Sequence, residues 1–309
     1  MRRIVIDCDP GIDDAQAIMM AYQHPDTKIE AITTVAGNVD VKKTTANALK
    51  ILDVLGAEPI PVYAGASSAL VEMGSDASYF HGESGLGNAN LPGSNRKVEN
   101  EPAALALIQL AKDSPGELEL IAIGPLTNLA LALRLDPELP SRYKRLVIMG
   151  GAYLAQGNTA NYHVEFNLFA DPDAAFVVFD SWPQITMVTW EATMANGIPL
   201  DFYKELLTYD NPRSKFMKDA AAYSLDLMEK MLDRKLNYEA DPLAMAVMIA
   251  PDIVEESVHK YVQVERYGRV SRGMTVVDWW GTAQCEPNTD IVTKVNTERF
   301  FDLLSLAFK

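Results

Sequence analysis

The chain has 309 residues, enough for one large α/β domain or two smaller ones; it is 48% hydrophobic and 22% charged, ordinary globular usage with material for a sizeable core. Its net charge of −15 argues against a nucleic-acid backbone or an anionic membrane surface as partner. The two cysteines, Cys8 and Cys285, do not make a disulfide framework, and no apolar run reaches the ~18 residues of a membrane span. The first residues run straight into an apolar segment, with no room for a secretory leader, and a cytoplasmic protein is expected.

In chain order, Ile4-Val5-Ile6 reads as a buried strand ending at Asp7 or Asp9. Pro10-Gly11 breaks it, and residues 12–22 carry apolar side chains at helical spacing. Residues 29–35 form a second strand ended by Ala36-Gly37-Asn38, 41–55 a helix and 60–63 a short third strand, a pattern of right-handed parallel crossovers. Residues 64–100, rich in Gly, Ser and Asn, make a long loop of the kind that usually carries function. A helix at 102–111, a strand at 118–123 ended by Gly124-Pro125, a helix at 126–135 and a strand at 145–149 ended by Gly150-Gly151 follow. A polar loop then runs to Asn167, and Asp171-Pro172 opens a helix to about 179, with a strand at 185–188 beyond it. The stretch 199–235 is mostly helical and is expected to cap the sheet. After a helix opened by Asp241-Pro242 come two strands, 262–264 and 274–278, as a hairpin-like excursion, and a final amphipathic helix over 297–308. No repeat or linker divides the chain. The expected fold is one α/β domain spanning 1–309, an open, mostly parallel, Rossmann-like sheet flanked by helices with a helical cap region.

The chemistry gathers in Asp7-Cys8-Asp9-Pro10-Gly11-Ile12-Asp13-Asp14, four carboxylates within eight positions at a strand-to-helix junction. In open α/β sheets ligands bind at that junction. Asp7 and Asp9 share one strand face while Cys8 points away into packing. A helix dipole favours an acid in the first turn by about 0.3–1 kcal/mol. Two like charges ~4 Å apart cost about 4 kcal/mol at an effective dielectric of about 20. Helix capping alone therefore does not account for four buried acids, and a bound cation does. Oxygen ligands with no nearby His favour Ca²⁺ or Mg²⁺ over Zn²⁺.

This run resembles the signature of the inosine–uridine-type nucleoside hydrolases. The likeness extends through Gly124-Pro125-Leu126-Thr127-Asn128, Met149-Gly150-Gly151, Glu165-Phe166-Asn167 and Asp241-Pro242-Leu243-Ala244, over most of the chain. It implies hydrolysis of the N-glycosidic bond of ribonucleosides with bound Ca²⁺. It implies Asp9, Asp14, Asp241 and the backbone carbonyl of Ile123 as metal ligands, Asp7 behind them, and Asp9 as the general base that takes the proton of activated water. It places Asp13, Asn167 and Asp241 on the ribose 2′- and 3′-hydroxyls, Asn158 and Glu165 on the 5′ side, and Asn38, Met149 and Phe166 around the sugar, with Asn38 also counted among the catalytic groups. Relatives of this kind are commonly dimers or tetramers, so a homo-oligomer is expected.

The chain departs from that pattern in two places. Many relatives have His immediately before the Asp241 position, where it can protonate the leaving base, and here that residue is Ala240. His81, Tyr223, Tyr238 and the Trp279-Trp280 pair are the alternatives, with His81 matching a family position near the base and taken as the third catalytic residue. The loop before Glu165 differs in length from some relatives, which leaves the 5′-side role open between Asn158 and Asn161. Two other readings compete: a nucleoside or ribose binder that has lost catalysis with the histidine, and an Asp-x-Asp, Mg²⁺-dependent phosphatase, which would leave the motifs at 124–128 and 165–167 unexplained.

Overall fold

The computed structural model describes residues 1–72, 76–231 and 235–309. Strand β1 (Arg2–Cys8) is the hub of the fold: its last five residues are buried, and it pairs in parallel with β2 (Thr27–Thr34) on one side and β4 (Leu118–Ala122) on the other. A strand covered on both faces needs a continuous apolar run, which explains Ile4-Val5-Ile6. Beyond β2 lies β3 (Val62–Ala64). Beyond β4 come β5 (Arg145–Met149) and β6 (Ile185–Val188). Strands β7 (Ile198–Pro199) and β8 (Leu236–Asn237) form a small antiparallel pair, as do β10 (Val262–Val264) and β11 (Thr275–Val277). The central sheet is completed by β9 (Val254–Lys260) and β12 (Thr289–Val295), in the order β3-β2-β1-β4-β5-β6-β12-β9, with β9 alone antiparallel to its neighbour.

Helices cover both faces. In chain order they are α1 (Ile12–Gln23), α2 (Val41–Val54), α3 (Ser78–His81), α4 (Ala103–Asp113), α5 (Thr127–Leu135), α6 (Leu139–Arg142), α7 (Phe166–Ala170), α8 (Pro172–Ser181), α9 (Trp190–Ala195), α10 (Leu200–Leu206), α11 (Pro212–Met231), α12 (Ala240–Ile249) and α13 (Thr297–Ser305). Alternation along β1 sorts the two cores. Ile4, Ile6 and Cys8 pack into the layer of α1, α2, α12 and α13, while Val5 packs into the layer of α4, α5 and α8. Every residue of α12 is buried, which suits its sequence Ala-Asp-Pro-Leu-Ala-Met-Ala-Val-Met-Ile.

Several elements differ from the sequence reading. Strands β9 and β12 were not expected, and β12 lies inside the sheet between β6 and β9. The long loop at 64–100 contains α3 and returns to the sheet edge through a bridge between Tyr63 and Glu99; its residues 73–75 lie outside the described ones. The polar loop before Asn167 ends in α7, begun one residue earlier, because the Glu165 carboxylate caps it. The expected cap at 199–235 resolves into β7, α10 and α11, with residues 232–234 outside the described ones; α11 packs against α1, α2 and α3. Among the described residues no helix is long and apolar enough to cross a membrane.

Candidate active site

The strand order reverses between β1 and β4, and the loops that leave these strands diverge there. Asp9 stands just past β1. Asp14, in the first turn of α1, reaches back: its Oδ1 accepts the Asp9 N–H at 3.1 Å and its Oδ2 the Gly11 N–H at 2.8 Å. Asn38, just past β2, donates its N–H to Asp9 Oδ2 at 2.6 Å, and its Nδ2 to the Asp9 carbonyl at 3.1 Å and Asp14 Oδ2 at 3.2 Å. Glycine is required on both sides of Asp9: a Cβ at Gly37 would sit 2.1 Å from Oδ2, and one at Gly124 2.6 Å from Oδ1. Asp241 enters from the first turn of α12, and carboxylate oxygens of Asp13, Asp14 and Asp241 lie within 4.8 Å of one another. That close triad contains Asp13, which the sequence reading had assigned to the sugar; Asp9 is next to it, coupled electrostatically to Asp13 and Asp14.

Behind these acids, Asp7 Oδ1 accepts from Thr33 Oγ1 at 2.5 Å and from Asn128 Nδ2 at 2.8 Å. Three buried carboxylate oxygens, Asp7 Oδ2, Asp9 Oδ1 and Asp13 Oδ1, have no hydrogen-bond partner. Burial pushes Asp7 and Asp14 up to about 7, aided at Asp14 by the charge of Asp13. Burial and then the neighbouring carboxylates hold Asp9 and Asp241 well above the usual carboxylate range. Such a cluster is poised for positive charge. Orphaned oxygens and an all-oxygen donor set fit a hard divalent cation.

The acids border a cavity of about 630 Å³. Its polar side carries Asp13, Asn38, Asn158, Glu165, Asn167 and Asp241, with Ile123, Met149 and Phe166 between them. Asn167 Nδ2 lies 3.2 Å from the carbonyls of both Ile123 and Met149, so it is oriented by the two strand ends, and the Ile123 carbonyl accepts from it on the cavity lining. Asn158 lines the cavity, unlike Asn161, and its Oδ1 accepts the Phe166 N–H at 2.9 Å. Glu165 accepts N–H bonds from Gly151, Asn167 and Leu168, and burial nevertheless lifts its carboxyl to about 7. Its visible work is to hold α7, and with it Phe166 and Asn167, against the sheet.

His81 is not a solvated loop residue. It is buried at the end of α3, where its Nδ1 accepts the Ile12 N–H at 3.2 Å and its ring rests against Gly11. That bond assigns the ring hydrogen to Nε2. Burial lowers the His81 pKa, against the pull of Asp13. Of the other acid candidates, Tyr238 lines the cavity, and Tyr223 donates its hydroxyl to the Tyr79 carbonyl at 3.2 Å. Trp279 and Trp280 follow β11, 40% and 91% exposed, and line no part of the cavity; the hairpin carries them to the outside. The rest of the lining includes Tyr79, Phe80 and Met228, from the loop 64–100 and the helical stretch 199–235 where the sequence reading placed the base pocket without naming residues, and Trp190 and Met194, which it missed. One signal was available, since Trp190 directly follows the strand β6 and its cap Thr189, at the same sheet edge as Asp9 and Asn38.

A family model described as "Inosine-uridine preferring nucleoside hydrolase" matches residues 4–302. The chain belongs to this family. It is a nucleoside hydrolase, an enzyme that cleaves the N-glycosidic bond of ribonucleosides, and the phosphatase and non-catalytic readings fall with that finding. It is 35% identical over 308 residues to the inosine-uridine preferring nucleoside hydrolase of Crithidia fasciculata, covering 98% of this chain and 96% of the relative. It is 34% identical over 306 residues to the pyrimidine-specific ribonucleoside hydrolase RihA of Escherichia coli (strain K12), covering 98% and 96%. Among solved structures it superposes on an inosine-guanosine nucleoside hydrolase with a TM-score of 0.92 and 34% identity, covering 99% and 98% of the two chains. The nucleoside hydrolases so matched carry three different base preferences in their names, at nearly equal identity.

Proposed function

We propose that this nucleoside hydrolase uses Ca²⁺ at the carboxyl end of β1 and attacks C1′ of a ribonucleoside with water whose proton passes to Asp9. Asp9, Asp14, Asp241 and the Ile123 carbonyl would hold the ion. A hard divalent cation, when bound, lowers the pKa of water and offsets the repulsion among the carboxylates. Asp9 Oδ2 is engaged by Asn38, so the unpartnered Oδ1 is the atom that accepts the proton. The water oxygen bonds to C1′ as the C1′–N bond breaks. The bond electrons leave with the base, which then takes up a proton. Positive charge develops on the sugar, and the surrounding carboxylates stabilise it.

Asp13, Asn167 and Asp241 take the 2′- and 3′-hydroxyls, and Asn158 and Glu165 stand on the 5′ side. Asn38, Met149 and Phe166 shape the sugar pocket, with Asn38 also ordering the two carboxylates it bonds. His81 acts on the departing base as a hydrogen-bond donor through Nε2–H. Because Nδ1 is engaged by Ile12, forming an imidazolium would break that bond, so a neutral ring is the working form. The chain works as one domain over 1–309, supported by a single central sheet that takes strands from both ends of the sequence. An exposed free thiol at Cys285 supports a reducing compartment, the cytoplasm. A homo-oligomer follows by likeness to the family alone.

The observation that carries the mechanism is the pair of buried oxygens, Asp9 Oδ1 and Asp13 Oδ1, that no protein group satisfies among the described residues. The test is a panel of purine and pyrimidine ribonucleosides scored for free ribose, with added Ca²⁺ and with chelator. Ribose release should vanish with chelator and return with Ca²⁺, and Asp9→Asn should lose at least about 10³-fold in kcat with its circular dichroism unchanged. Full turnover in chelator, or in Asp9→Asn, defeats the reading.

A further inference from the structure

The hydrolytic chemistry employs the carboxylates and amides of the cavity and leaves an aromatic and thioether part of its lining without a task. That wall is made of Phe80, Trp190, Met194, Met228 and Tyr238. Trp190 opens α9 immediately past β6, at the same sheet edge as Asp9, and Met194, four residues on, faces the same way. The Trp190 ring lies 6.1 Å from that of Tyr238, tilted by 54°. Ala240, directly before Asp241, also lines the cavity and offers it only a methyl group.

The wall is fixed relative to the polar side. The backbone N–H of Trp190 donates to the Gly151 carbonyl at 3.0 Å. Glu191 accepts the N–H groups of Tyr153, Leu154 and Gln156, in the loop that leads to Asn158. The backbone of Trp190 is thus tied to the loop after β5 that leads to Asn158, and Tyr238 packs against its ring. An indole lining a water-accessible cavity gains when an apolar face covers it.

We propose that Trp190, backed by Tyr238, is the stacking platform for the nucleobase and biases the enzyme toward purine nucleosides. A two-ring base covers more of the Trp190–Met194 surface than a pyrimidine can. The larger face returns more stacking, and none of the wall's groups demands a polar edge that only a pyrimidine offers. This rests on the carboxylate side holding the ribose as proposed above.

The test compares kcat/KM for inosine and uridine in the wild-type enzyme, Trp190→Leu and Trp190→Phe, each with Ca²⁺ present. Inhibition by free ribose, which reports on the carboxylate side alone, is measured in parallel. The wild type should favour inosine. In Trp190→Leu the inosine-to-uridine ratio should fall about tenfold or more, mainly through KM for inosine, as expected for loss of one base–aromatic stack. Trp190→Phe should recover most of the ratio, and ribose inhibition should stay within about twofold. Trp190→Met, which keeps bulk without a ring, serves as the second variant and should behave like Trp190→Leu. A wild type that favours uridine, a ratio unchanged within threefold, or an equal loss on both substrates overturns the proposal. Failure of the ribose-side reading shows separately, as absence of ribose inhibition in the wild type.

Discussion

Gly37 offers a direct measure of how tightly Asp9, the proposed general base, is held. An alanine there would place Cβ 2.1 Å from Asp9 Oδ2 and 2.8 Å from Cδ and Cγ of Pro125, where real methyl groups keep at least 3.0 Å. The carboxylate would have to retreat by about 1 Å. It has little freedom to do so, because Oδ2 is bonded to the Asn38 N–H at 2.6 Å and Oδ1 lies against Gly124. A misplacement of about 1 Å in a catalytic group costs about 10²-fold in rate. Overpacking costs about 1–3 kcal/mol of stability, partly offset by the ~0.4–1 kcal/mol that alanine returns by restricting the unfolded chain. Gly37→Ala should therefore lower kcat/KM for ribose release by about 10²-fold, through kcat, while the urea midpoint shifts by the equivalent of only about 1–2 kcal/mol. Gly93→Ala, where a Cβ meets nothing within 4 Å, is the control and should match the wild type in both. A Gly37→Ala enzyme within threefold of wild-type kcat/KM would show that Asp9 is not confined in the way described.

Two further outcomes follow from the buried polar groups. Asn128 is fully buried; it bonds Asp7 Oδ1 and the Thr34 carbonyl through Nδ2 and accepts the Ala66 N–H, so Asn128→Ala removes all three bonds, leaves Asp7 Oδ1 with Thr33 alone, and should cost about 3 kcal/mol in urea unfolding; an unchanged midpoint contradicts this. Burial lifts Glu165 from 4.5 to about 7, so the folded chain keeps a proton that the unfolded chain releases. Its contribution is fully present below about pH 4.5 and is lost as the pH rises to about 7, on the order of 3 kcal/mol. Urea midpoints collected from pH 4 to 8 should show that decline in the wild type and a flatter profile in Glu165→Gln; superimposable profiles would refute it.

The parts of this molecule written in local sequence were the parts that could be read from it. The acids of 7–14 are consecutive, and their strand and helix are each coded by short-range periodicity, so the chemistry could be located at once. Strand β12 was also legible in principle, since Thr289–Val295 is rich in β-branched residues; it was passed over because a long irregular stretch precedes it. Strand β9 was not. Its sequence Val-Glu-Glu-Ser-Val-His-Lys belongs to an edge strand, exposed along much of its length, where polar residues carry no penalty. The aromatic wall was hidden for another reason: Phe80, Trp190, Met228 and Tyr238 come from four elements far apart in the chain, and only the packing of α3, α9, α11 and the segment after β8 makes them neighbours. Trp279 and Trp280 show the converse, since an aromatic pair that drew attention in the sequence lies on the outer hairpin.

The division of the cavity has a consequence for how such an enzyme can change. Asp9 and Ile123 hang from β1 and β4, the most deeply paired strands, where any shift disturbs the sheet itself. Trp190 hangs from a six-residue helix, and Phe80 from a single turn at the edge of a long loop. With Trp190 as the proposed nucleobase platform and Asp9 as the proposed general base, substitutions in the second group should redraw which base is accepted while the first group goes on cleaving the same bond. An engineer seeking a new nucleoside preference would leave the ends of β1 and β4 alone and build the library at positions 79, 80, 190, 194 and 238.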